Sequence, residues 1–199
     1  LGSDYTGLAT QNNPIKTLKY ALEIIAPSDD NIITIHLDEG TYSPSLTGET
    51  FSINMISNVN LIGAGEELTI LDAEQTDRVI TIEDCDNTTI SGIKITGGLA
   101  QGMHSENYGG GLYLSWSNPT LTHLTISDNT AAASGGGLYL NQANPTLTHS
   151  TISDNTADDG GGIHLLSSNP KLINSIVWHN YPYFIITYFE FFGNQFFHS

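Results

Sequence analysis

Residues 109–131, GGGLYLSWSNPTLTHLTISDNTA, return as residues 135–157, GGGLYLNQANPTLTHSTISDNTA, and the first copy differs only at positions 115, 116, 117 and 124. A third copy, GGGIHLLSSNPKLINSIVWHN, runs from Gly160 to Asn180. The offsets are 26 and then 25 residues, a period that signals stacked structural repeats. Each copy must be built of strands. Leu112-Tyr113-Leu114 alternates, and Leu121, Leu124 and Ile126 supply further apolar points. Triple glycine and Asn-Pro punctuate the copy, so no stretch keeps a 3.6-residue period for ten residues. Strands this short cannot bury a core alone. Stacked in parallel at about 4.8 Å per layer, each coil pairs its backbone with the coils above and below.

The pattern continues upstream in weaker form. Ile90, Ile93 and Ile95 align with Leu121, Leu124 and Ile126, and 59–65 and 68–72 read as two more strand-turn units. About six coils of roughly 25 residues follow from this repeat period. The expected fold is all-β: a right-handed parallel β-helix with an N-terminal capping helix. That helix is predicted from Asn13 as N-cap and Pro14 at the first helical position. Ile15, Leu18, Ala21, Leu22 and Ile25 form its apolar stripe. The expected organisation is an N-terminal segment over 1–30, the solenoid over 31–180 and an aromatic tail over 181–199. The tail holds nine of the chain's 18 Phe, Tyr and Trp residues. It reads as a cap, a self-association strand or a non-native end.

Five Lys and Arg stand against 21 Asp and Glu, for a net charge of −16. Such a surface disfavours nucleic acid and anionic lipid. Cys85 is the single cysteine, so no intrachain disulfide can form. No run of 18 apolar residues offers a membrane span.

The segments NPIKTLKYALEIIA, DEGTYS, NLIGAG, TILDAE, ITGG and GGGLYL resemble the right-handed parallel β-helix proteins of the pectate-lyase-like superfamily. The repeat unit is similar to those of polymorphic outer-membrane-type surface proteins. The resemblance spans roughly residues 5–180 and is specific for fold, since that fold hosts lyases, hydrolases, adhesins and scaffolds. Lyases of this kind imply a carboxylate-held calcium and a Lys or Arg base, for which Lys94 and Arg78 are the available cations. The hydrolases imply clustered aspartates, and Asp158-Asp159 is the nearest match without the accompanying family motifs.

Three sets of residues are singled out for binding or structure. Tyr113, Tyr139 and His164 align between inward-facing residues, with Trp116 beside them, and an outward aromatic column can stack on sugar rings or on itself. Asp128 and Asp154 align across coils, with Asp158 and Asp159 close in sequence. A hard cation such as calcium is a possible partner for them. Otherwise no cofactor is expected. Asn129, Asn155 and Asn180 align, as do Asn118, Asn144 and Asn169, and such columns read as structural ladders. The sequence favours a non-enzymatic extracellular or cell-surface module for adhesion, carbohydrate contact or surface assembly. The alternative is a polysaccharide lyase or glycoside hydrolase acting on acidic polysaccharide.

Overall fold

The computed structural model describes residues 2–4, 10, 12–182 and the backbone of 196–198. The chain winds as a parallel solenoid. One long sheet is built from Ile33–His36, Val59–Ile62, Thr89–Thr96 and Thr120–Ser127. Two further coils each contribute a pair of short strands: Thr146–Thr148 with Thr151–Ser153, then Lys171–Ile173 with Ile176–Trp178. A second sheet stacks Ile53–Asn54, Ile80–Glu83, Leu112–Ser115, Leu138–Asn141 and Ile163–Leu166. The ladders between these strands are all parallel. Register follows the repeat: Leu112 opposes Leu138 and Ile80, and Ile126 opposes Ile95 and Ile152.

Alternation puts one residue in two inside. Ile90, Leu121, Leu147 and Leu172 stack as one column, and Ile95, Ile126, Ile152 and Val177 as another, all of them buried. Burying each such aliphatic side chain contributes about 1.5–3 kcal/mol. In the last three coils the alternation expects Leu112, Leu114, Leu121, Ile126, Leu138, Leu140, Leu147, Ile152, Ile163, Leu165 and Leu172 inside; all are buried but Leu165, which is only partly covered against the core. Triple glycine has a steric cause: a Cβ on Gly136 would sit 2.4 Å from the Thr156 carbonyl oxygen. The coils approach too closely there for any side chain.

The N-terminal helix is shorter than its stripe suggests. It spans Leu18–Ile24, with Thr17 rather than Asn13 as N-cap, and Thr17 Oγ1 accepts the Tyr20 N–H at 3.3 Å. Asn13 is instead in a backbone bridge with Thr10, which holds it outside the helix. The buried Glu49 carboxylate accepts the N–H of Leu18 at 2.6 Å and of Lys19 at 3.2 Å, satisfying two donors that a helix start leaves open. Leu18, Ala21 and Leu22 face the core.

In the last described coil the outward positions turn apolar, with Ile176 opposite Thr151 and Trp178 opposite Ser153, and both are nearly half exposed. The backbone of Phe196–His198 adds a parallel strand to Ile176–Trp178. The expectation that the aromatic tail caps or self-associates rests otherwise on residues 183–195 and 199, outside the described residues.

Candidate functional site

Three corners recur through four successive coils, each using one residue with positive φ, besides the glycine column Gly109, Gly135 and Gly160. The first column is Asp84, Trp116, Gln142 and Ser167; the second is Gly92, His123, His149 and Asn174; the third is Gly97, Asp128, Asp154 and His179. Their φ values run from 49° to 66°. The residue after each is buried, and in most rungs it is short; Ile93 and Leu124, at the second corner, are the aliphatic exceptions. At the first corner Ser117 Oγ accepts the Cys85 N–H at 2.9 Å, and Ser168 Oγ accepts the Ala143 N–H at 3.0 Å. At the second, Ser150 and Ser175 do the same for the backbones of Leu124 and Ser150. At the third, Asn129, Asn155 and Asn180 form a buried amide ladder. Each Oδ1 of Asn155 and Asn180 accepts both the backbone N–H and the side-chain N–H of the preceding rung, all at 3.0 Å. These inner ladders hold the corners in register and leave the positive-φ side chains projecting outward.

The expected aromatic column exists and is filled by its own members. Tyr113 stacks on Tyr139 with centroids 5.6 Å apart and planes 4° apart, and Tyr139 stacks on His164 at 5.1 Å. Tyr108 adds a third contact to Tyr139 at 4.5 Å. The Arg78 guanidinium lies 4.7 Å from the Tyr113 centroid and donates to the Ser105 carbonyl. Tyr113 and Tyr139 are therefore buried, against the expectation of open rings that could receive a sugar. Burial pushes the Tyr139 phenol up to about 12, so it stays neutral. Tyr108 and Arg78 were not legible as members, because neither recurs in the repeat: Tyr108 aligns with Ser134 and Asp159. At the far end His164 Nδ1 is buried, 3.3 Å from Asp159 Oδ2 and without the alignment of a hydrogen bond. Burial lowers the His164 proton affinity, with the Asp159 charge opposing.

The four aspartates separate into two places. Asp128 and Asp154 occupy successive rungs of the third corner. Asp128 lies 3.9 Å from Lys94 Nζ, and Asp154 is bonded to His179 Nδ1, which holds its carboxyl below the usual range. Asp159 faces His164 instead, and Asp158 precedes it. Among the described residues, no group of three or more His, Cys, Asp or Glu side chains could hold a metal ion. The two cations weighed for catalysis also part: Arg78 leads into the sheet containing Ile80–Glu83, whereas Lys94 sits on the long sheet beside Asp128. His123 stacks on His149 with centroids 5.1 Å apart, a contact whose signal in the sequence is the repeated TLTH.

Trp116 is the one singled-out residue with its ring largely in water, at 57% exposure. It projects from the first corner, clear of the aromatic stack.

A solenoid of parallel coils with buried corner ladders defines the class. The chain belongs to the right-handed β-helix family, whose "Right handed beta helix region" matches residues 78–196. Among solved structures it is similar to a pectin methylesterase mutant in complex with hexasaccharide IV, at 12% identity and a TM-score of 0.46. The likeness covers 88% of this chain and 64% of the other, so the chain spans less than two thirds of that protein. A comparison with curated proteins finds no match.

Proposed function

We propose that the chain is a non-catalytic β-helix module of an extracellular or cell-surface protein, serving carbohydrate contact. The observation that supports it is the division of its cations. Arg78 is buried against Tyr113 and Ser105, while Lys94 faces Asp128 on another sheet. A uronate lyase needs a base and a charge-stabilising group around one substrate atom. Here those two groups do not converge. The rigid, repeated outer surface instead suits binding without turnover. Among the described residues no helix is long and apolar enough to cross a membrane.

The test has two arms. Calcium-supplemented polygalacturonate is followed by ultraviolet absorbance for lyase products and by reducing ends for hydrolysis, and a glycan panel is screened for binding. Binding without turnover is the expected result. Enzyme-dependent product release would overturn the reading in favour of a polysaccharide-active enzyme, and no glycan binding at all would overturn it in favour of a scaffold.

A further inference from the structure

The two near-identical copies differ at four positions, and three of them fall on one corner: Ser115 against Asn141, Trp116 against Gln142 and Ser117 against Ala143. Two copies that agree everywhere else but one position have diverged where a single large ring projects. Neither backbone nor packing asks for an indole there. The Trp116 φ is 50°, a region uncommon for bulky side chains, and the same corner elsewhere carries Asp84, Gln142 and Ser167. An exposed Trp in unfavourable backbone gives the free chain nothing that Gln142 does not.

The surroundings state what would cover it. On the preceding coil lie Glu83 and Asp84, both exposed. On the following coil Gln142 is exposed, and the half-buried Asn141 donates to Ser115 Oγ at 3.3 Å. Asn118 and Asn144 continue the strip, with Asn118 Oδ1 accepting the Asn144 N–H at 2.7 Å. Arg78, buried against Tyr113, feels the Glu83 charge from the preceding coil, and Lys171 lies two coils away on the other side. The corner therefore offers a flat aromatic face, carboxylates and amides repeated about every 4.8 Å along the axis. An indole face attracts apolar C–H surfaces and cations alike. Carboxylates on a chain of charge −16 repel polyuronates and attract ammonium groups.

We propose that the Trp116 corner, with Glu83, Asp84, Asn141 and Gln142, binds a cationic glycan, a polymer bearing unacetylated amino sugars. This rests on the reading of the chain as a carbohydrate-contact module. A sugar ring lies on the indole, its hydroxyls meet the amides, and its ammonium groups meet the carboxylates. A repeated amide strip fits a repeating polymer better than a basic peptide.

The full chain and Trp116→Gln, which installs the residue its sister copy carries, are titrated with deacetylated and fully acetylated glucosamine oligomers. Calorimetry and indole fluorescence report binding, and Trp178 serves as the internal control. Expected is at least a tenfold loss of affinity in Trp116→Gln at unchanged melting temperature. A further loss is expected in Glu83→Gln/Asp84→Asn, with weakening by salt and by acetylation. Equal binding by Trp116→Gln, equal binding of the acetylated oligomer, or tighter binding of an oligolysine of equal charge would each overturn this site. If other glycans bind while these oligomers do not, the module reading stands and the site assignment fails. If no glycan binds, both fall.

Discussion

Replacing Asn155 by Ala removes the middle rung of the buried amide ladder. Asn155 Oδ1 accepts from the Asn129 backbone N–H and from Asn129 Nδ2, both at 3.0 Å. Its own Nδ2 donates to the Ile126 carbonyl at 2.9 Å and to Asn180 Oδ1 at 3.0 Å. The side chain is fully buried. Alanine leaves the Asn129 N–H without an acceptor, and removes one of several partners from Asn129 Nδ2, the Ile126 carbonyl and Asn180 Oδ1. One orphaned donor at about 1–3 kcal/mol plus three lost bonds at about 0.5–1.5 each gives a loss of about 2.5–7.5 kcal/mol. For a chain of this size the melting temperature should fall by more than about 5 °C. Asn144→Ala is the matched control, because Asn144 belongs to the exposed ladder, where water replaces the lost bond. It should cost about 1 kcal/mol or less. Reversible denaturant titration of both variants measures the difference. A cost for Asn155→Ala no larger than that of Asn144→Ala would refute the assignment of the buried ladder as a corner-holding device.

Ile152→Ala, in the column between Ile126 and Val177, should cost about 2–5 kcal/mol by the same titration. Burial makes the His164 imidazole bind its proton less readily in the fold than at its ordinary value of 6.5, so the unfolded chain binds more protons near and below that pH. Stability should fall as pH drops below 6.5. His164→Tyr, which extends the column of Tyr113 and Tyr139, should remove that part of the slope in melting curves at pH 7 and pH 5. Lys94→Met should change stability by less than about 1 kcal/mol, since Lys94 and Asp128 form a part-exposed pair. A chelator should leave the melting temperature unchanged, because the hydrophobic columns run through the solenoid whereas Asp128 and Asp154 span two rungs.

The solenoid was legible because its information is local and repeated. Period, Gly and Asn-Pro punctuation and strict alternation place Leu112, Leu121, Ile126 and their successors inward, and a one-residue slip would reverse every one of them. The asparagine ladder was legible for the same reason, since a residue recurring in register must meet its own kind. What the sequence left open depends on contacts that do not recur. Tyr108 and Arg78 reach the tyrosine column from outside the repeat, and their arrival turned an outward column into a buried stack. Glu49 caps a helix about thirty residues before it, so the helix begins at Leu18 rather than beside Pro14. Alignment showed that Trp116 stood next to the tyrosines. Only the folded corner, with its positive φ and its place outside the stack, left that indole in water while Tyr113, three residues earlier, lost its face to neighbours. Periodicity determines which side of a strand a residue occupies; tertiary packing decides whether that side is still free.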